Sequence, residues 1–95
     1  MRKEIKIGWR VYQIVKTSPS LNSGDELYGQ IDHARQTITL RAANTAQQDM
    51  ATLLHELLHA LDDYFDLHLD EHAVIALANG LCSVIVDNGL QIEEG

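Results

Sequence analysis

The sequence predicts an α+β domain in which a small, mainly antiparallel three-stranded sheet packs on two helices. Three observations carry this. Between Lys3 and Arg41 lie three stretches where apolar and polar residues alternate with period two, as half-buried strands require. From Met50 to Leu61 the apolar residues recur at helical spacing instead. The same spacing returns from Ala73 to Val86.

The first stretch runs from Lys3 to Val15, with Ile5, Ile7, Trp9 and Val11 on one side and Lys6, Gly8, Arg10 and Tyr12 on the other. It reads as one strand. Thr17-Ser18-Pro19-Ser20 and Asn22-Ser23-Gly24-Asp25 have turn chemistry, which predicts a loop. Leu27, Gly29 and Ile31 then alternate with Tyr28, Gln30 and Asp32, and Thr37 to Arg41 alternates again. The polar run Asp32-His33-Ala34-Arg35-Gln36 between them makes a hairpin with a loop of about three to five residues. His33 falls in that turn, where a lone histidine is ordinarily solvated, and it receives no role.

Thr45 and Gln48 have the spacing of a capping box. Met50, Leu53, Leu54, Leu57, Leu58 and Leu61 follow as one wide apolar stripe, with Gln48, Thr52, His55, His59, Asp62 and Asp63 on the opposite face. Asp62-Asp63 should end this helix, because acidic residues are unfavourable near its negative end. Tyr64, Phe65, Leu67 and Leu69 should pin a short connection to the core. Asp70 caps a second helix, whose apolar residues are Ala73, Val74, Leu77, Ala78, Leu81, Val84 and Ile85. Asn88-Gly89 is a C-cap signal, with Leu90 placed to fold back on the last turn, and the tail from Gln91 reads as frayed.

Composition bounds the function. A chain of 95 residues, 45% of them hydrophobic, makes one domain, 1–95, with a modest core. A net charge of -7 argues against a nucleic-acid partner, which wants a basic footprint. There is no run of about 18 apolar residues, so no membrane partner is expected, and the N-terminus lacks the apolar core of a signal peptide. The single cysteine, Cys82, forms no internal disulfide, sits in an apolar run as a structural thiol, and leaves a cytoplasmic address as the default.

The most specific feature is His55-Glu56-Leu57-Leu58-His59, an H-E-x-x-H pattern inside the first helix. Residues four apart on a helix stack on one face, roughly 5–6 Å between Cβ atoms. Two imidazoles so placed can share one Zn²⁺ at about 2.0–2.1 Å each. Glu56 points to the side of the metal, where its carboxylate reaches a metal-bound water and can take its proton. The bland alternative is a solvated helix face that happens to carry two histidines.

A catalytic zinc wants a third protein ligand. Asp62, Asp63, Asp66, His68, Asp70, Glu71 and His72 all lie downstream. Acids on the histidines' own helix cannot readily supply the third vertex. Glu71, in the first turn of the second helix, shares a face with Val74, Ala78, Leu81 and Ile85, and a carboxylate at the buried end of an apolar stripe needs a partner. Glu71 is therefore the expected ligand, with His68 and His72 as alternatives.

Hairpin, H-E-x-x-H helix and a following helix that opens with Glu resemble the gluzincin metallopeptidases, and more narrowly the compact ImmA/IrrE-like proteins of phages and mobile elements and the minimal single-domain gluzincins. The resemblance rests on Tyr28 to Asp32 with Thr37 to Leu40, on Leu53 to Leu61, and on Glu71 with Ala73 and Ala78. It implies a zincin-like minimal fold, zinc on His55 and His59, Glu56 as the base, and a Glu of the next helix as third ligand. The usual Glu-Ala-Asp/Asn run of that helix is absent here. Tyr64, His68 and His72 are the candidates for stabilising the transition state.

The expected function is zinc-dependent hydrolysis of peptide bonds in a protein or peptide substrate. The alternatives are a zinc-binding but non-catalytic interaction module of a phage or mobile element, and a metal-free structural domain. Thr37, Ile38, Thr39, Leu40 and Arg41, taken as an edge strand beside the metal helix, are the expected substrate-binding segment, pairing with an extended peptide by strand addition.

Overall fold

The computed structural model describes residues 4–17, 29–42 and 44–90. The expected loop from Ser18, the first residues of the expected hairpin arm (Leu27 and Tyr28) and the tail from Gln91 lie outside them. Four strands and two helices follow one another as β1 (Glu4–Ile7), β2 (Arg10–Thr17), β3 (Gly29–Asp32), β4 (Thr37–Arg41), α1 (Ala46–Phe65) and α2 (Glu71–Asp87). The fold is α+β with a four-stranded mixed sheet in the order β1-β2-β4-β3, not a three-stranded, mainly antiparallel one.

The extra strand comes from a turn hidden in the first alternating run. Gly8 adopts φ +61° and an added Cβ would lie 2.1 Å from the Tyr64 ring, so only glycine fits there. It opens a two-residue hairpin in which Ile7 faces Arg10 and Ile5 faces Tyr12. Residues of odd number before the turn and even number after it therefore share a face. Ile7, Tyr12 and Ile14 are buried on it, while Trp9, expected on the same side as Ile7, is 76% exposed at the turn.

β2 and β4 pair in parallel from Gln13↔Thr37 to Thr17↔Arg41, and β3 pairs antiparallel with β4 from Gly29↔Leu40 to Asp32↔Thr37. The hairpin β3–β4 turns the chain back so that β4 runs with β2. Consequently β4 is an interior strand. From Thr37 to Leu40 it has β2 on one side and β3 on the other, with Arg41 paired to β2, so the expected segment Thr37 to Arg41 is not the edge strand that strand addition needs. Among the described residues the edges are β1 and β3.

One face of the sheet carries Ile5, Ile7, Tyr12, Ile14, Ile31, Ile38 and Leu40, and α1 lays Leu53, Leu57, Ala60, Leu61 and Tyr64 on it. Each fully buried side chain of this size is worth about 1.5–3 kcal/mol. Lys16 on the same face reaches the buried Asp49 of α1 in an ion pair, and Asn44 Nδ2 donates to the same carboxylate at 3.1 Å.

α1 begins with the expected capping box: Gln48 N–H donates to Thr45 Oγ1 and Thr45 N–H to Gln48 Oε1. It ends later than expected. Asp62 and Asp63 are inside the helix and Asp66, at φ +55°, caps it. Both acids have partners that offset the helix dipole. Asp62 Oδ1 accepts from Leu69 N–H at 3.1 Å, and Asp63 Oδ2 accepts from the Arg10 guanidinium at 2.6 Å. Asp70 caps α2 by accepting from Ala73 N–H at 2.7 Å.

Among the described elements α2 packs on α1 and on no strand. Val74, Ala78 and Cys82 are its buried residues, whereas Leu81, expected inward, is 44% exposed. The layers are therefore sheet, α1, α2, with α1 in the middle. α2 closes with Asn88 and with Gly89 at φ +62°, and Leu90 N–H donates to Ile85 O at 3.0 Å. No helix among the described residues is long and apolar enough to cross a membrane.

Candidate metal centre

α1 presents His55 and His59 one turn apart, with ring centroids 4.9 Å apart. The five residues from Asp66 to Asp70 reverse the chain, held by Asp62, which accepts from Leu69 N–H through Oδ1 and from Leu67 N–H through its carbonyl. The first residue of α2 is thereby returned beside the histidines. Glu71 Oε1 lies 2.7 Å from His55 Nε2, and its Oε2 lies 3.4 Å from His59 Nε2. Among the described residues His55, His59 and Glu71 form the one group of three metal-ligating side chains whose ligand atoms all fall within 4.8 Å of one another.

The donor set fits a zinc ion. Bonds of about 2.0–2.1 Å at tetrahedral angles put neighbouring ligand atoms roughly 3.3–3.4 Å apart. His55 Nε2 lies 2.7 Å from Glu71 Oε1 and His59 Nε2 lies 3.4 Å from Glu71 Oε2, so both imidazoles are within about 0.7 Å of that spacing from an oxygen of the same carboxylate. Two imidazoles and a carboxylate are also a known open set for this metal.

Electrostatics sort the two glutamates. Glu71 is exposed, not at the buried end of a stripe as its sequence position suggested. The hydrogen bond from His55 holds its carboxyl below the usual carboxylate range, aided by the charge of His59, so it is ready as an anionic ligand. Glu56 sits on the sheet side of α1 and is only 7% exposed. Burial pushes its carboxyl up, against the opposing pull of His55, His59 and His33 and with a further push from Glu71. It forms no hydrogen bond with the described residues, which leaves its oxygens available as proton acceptors.

The other residues singled out in the sequence are elsewhere. Tyr64 is committed to the β1–β2 turn: its ring packs against Gly8 and its Oη accepts from Trp9 N–H at 3.4 Å. His68 points into solvent, 80% exposed, beside Asp66. His72 is exposed on α2. None of the three joins the cluster. A small cavity beside His55 is lined by Ala51, Thr52, Ile75, Ala78 and Asn79.

His33, given no role from sequence, does come to the site's border. Its Nδ1 is 3.1 Å from the Oη of the fully buried Tyr12 and 4.0 Å from Asp63 Oδ2, and its charge is felt by Glu56. No local pattern marks it; only the packing of the β3–β4 hairpin along α1 brings it there. The edge of that hairpin lies close to the helix, since a Cβ on Gly29 would approach Thr52 Cγ2 to 2.5 Å.

Comparison with known proteins finds no matching family model, no matching curated protein and no matching solved structure.

Proposed function

We propose that the chain is a zincin-like zinc metallopeptidase acting on a protein or peptide substrate. The observation that carries this is the meeting of Glu71 with His55 and His59 beside a buried, unbonded Glu56. A solvated face with two chance histidines gives no reason for a carboxylate from another helix to close on both of them while a second carboxylate is desolvated next door.

His55, His59 and Glu71 would hold the ion. When bound, zinc supplies Lewis-acid polarisation of a scissile carbonyl and acidifies a water. Glu56 takes the proton of the attacking water and later delivers it to the leaving amine. Burial raises the Glu56 carboxyl pKa, which makes its carboxylate a stronger base toward the proton of that water. Among the described residues β3 is an edge strand beside α1, and its main-chain groups would serve an extended peptide. A single thiol and no disulfide fit action in the cytoplasm.

Zinc analysis joined to cleavage of casein tests the reading. One zinc per chain with cleavage that Glu56→Gln abolishes supports it. Zinc without cleavage returns the chain to a non-catalytic binding module, and no zinc under any loading condition defeats both.

A further inference from the structure

α2 is the outer layer of the molecule, yet it is uncharged along most of its length. From Ala73 to Val86 there is no Asp, Glu, Lys or Arg, in a chain of net charge -7. An outer helix ordinarily turns charged and polar residues away from the core. Here Leu77, Leu81 and Val84 are 46%, 44% and 52% exposed instead. Among the described elements only α1 packs on α2, so no other element covers them.

The exposed face has a definite shape. Val74, Ala78 and Cys82, four residues apart, are buried against α1. Ala76, Gly80 and Val84 each come two residues later, about 200° round the helix, and so form the ridge that points away from α1. Gly80 stands next to the midpoint of α2. A Cβ added there would meet nothing within 4 Å, so the fold of one chain does not require glycine at this position. Glycine is also the poorest helix former after proline. What it does provide is a notch, because the side chains at a helix crossing set how closely two helices approach.

We propose that this face of α2 is the contact surface of a homodimer, in which two copies cross antiparallel at Gly80. A two-fold axis matches a surface with itself. With Gly80 on the axis, Val84 of one copy faces Ala76 of the other, and the reverse contact repeats the fit of large side chain over small. Leu77 and Leu81 flank the crossing. A parallel crossing would set Val84 against Val84 and Asp87 against Asp87. The antiparallel one turns each negative helix end, where Asp87 stands with no basic residue in the last turn, toward the positive end of the other helix.

A second copy is the occupant for two reasons. The face carries no charge with which to select a different protein, and two chains of net charge -7 repel least across an uncharged patch. The area also suffices. A helix of 17 residues is about 25 Å long with a face about 10 Å wide, so two such faces together bury on the order of 1,000 Å². That is the lower end of specific interfaces and sets a weak, concentration-dependent dimer. Glu71 turns to His55 on α1, so the crossing uses none of the candidate metal ligands, and the inference does not rest on the metallopeptidase reading.

Sedimentation equilibrium of the full chain, from about 1 μM to about 1 mM in the presence of EDTA, tests the proposal. The chelator keeps zinc from bridging copies. Wild type should pass from monomer to dimer within that range. Val84→Glu places a charge in the interface and should weaken association at least about tenfold. Gly80→Leu is the sharper probe, because it adds apolar surface while filling the notch. A merely sticky face would associate more tightly with it, whereas a fitted crossing should associate at least about tenfold more weakly. A mixture of Ala76→Lys and Val84→Glu should associate more tightly than either variant alone, since only the antiparallel crossing brings these positions together. Val15→Glu, at an exposed apolar position on the sheet, should change association less than about twofold. Circular dichroism of dilute protein checks folding, and Gly80→Leu should melt no lower than wild type there, since its side chain enters open space. Should Val84→Glu not fold, Gly80→Leu decides alone. A wild type that stays monomeric throughout overturns the proposal and leaves the face to a different partner. A dimer that folded Val84→Glu and Gly80→Leu leave intact, or that Gly80→Leu tightens, overturns it as well, and no gain on mixing overturns the antiparallel crossing. Zinc binding and cleavage are separate readouts, so none of these outcomes decides the metallopeptidase reading.

Discussion

Glu71 Oε1 accepts a 2.7 Å hydrogen bond from His55 Nε2, joining residues 16 positions apart across the α1–α2 reversal. The contact ties the start of the outer helix to the middle helix at the place where the chemistry would occur. In the zinc-free protein it is also a docking interaction with a definite pH sense. The Glu71 carboxyl titrates lower in the folded chain than its ordinary value of 4.5. Its contribution to stability is therefore present above the unfolded value and disappears as pH falls through the folded one. The melting difference between wild type and Glu71→Ala, measured without zinc, should exist at pH 7 and vanish in strong acid. A difference that grows on acidification would contradict this. The pair is exposed, so the effect is small and salt-sensitive.

Glu56 has the opposite sign. Burial raises its carboxyl pKa, so the folded state holds its proton more tightly than the unfolded state does. The associated stability is complete below the unfolded value and lost as pH rises through the folded value. Glu56→Gln should melt a few degrees higher than wild type at pH 7 without zinc, the effect of roughly 1 kcal/mol in a domain of this size. The gap should close toward pH 4. If Glu56 acts as base and not as ligand, zinc is retained and hydrolysis lost. Parallel loss of zinc and activity would make it a ligand instead.

Gly29 sets how closely the β3 edge approaches α1. A Cβ there meets Thr52 Cγ2 at 2.5 Å and the Thr39 carbonyl oxygen at 2.8 Å. Gly29→Ala should cost about 1–3 kcal/mol through overpacking. Gly29→Ala combined with Thr52→Ala should recover only part, since the backbone contact remains. Chemical denaturation of the two variants measures this, and full recovery in the pair would show that Thr52 alone sets the spacing.

Asp62 fixes the reversal that returns Glu71 to the histidines. Asp62→Ala leaves Leu69 N–H without its acceptor, at a cost of about 1 kcal/mol. Zinc affinity should fall even though no ligand is touched, while Asp87→Ala, at the far end of α2, should leave it unchanged. Equal zinc affinity in Asp62→Ala and wild type would mean that the turn plays no part in placing Glu71.

The helices were legible because their signals are local. The capping box of Thr45 and Gln48, the cap at Asp70 and the i, i+4 spacing of His55 and His59 are each complete within a few residues. The position of Glu71 was readable from the short distance between the helices, although its exposure was not, because burial depends on how α2 tilts over α1. The sheet was less readable. Alternation continues straight through Gly8-Trp9, so one expected strand is two. Nothing local tells that β4 runs parallel to β2, and an interior strand alternates like an edge when one face is solvated. That is why Thr37 to Arg41 looked available for substrate. His33 and Asp63 were invisible as partners for the same reason: 30 residues separate them, and only the packed hairpin brings them within 4.0 Å.

The central claim is that His55, His59 and Glu71 together bind one zinc ion. Chelator-competition titration of wild type, His55→Ala, Glu71→Ala, His68→Ala and His72→Ala tests it most directly. The expected result is one tightly held zinc per wild-type chain, unchanged in the His68 and His72 variants. His55→Ala and Glu71→Ala should each weaken it on the order of a hundredfold or more, since total binding free energies of about 10–16 kcal/mol are shared among three or four ligands. Wild-type affinity in Glu71→Ala with loss in His68→Ala or His72→Ala would replace this centre by a three-histidine site, and a wild-type chain that takes up no zinc would contradict the metal centre altogether.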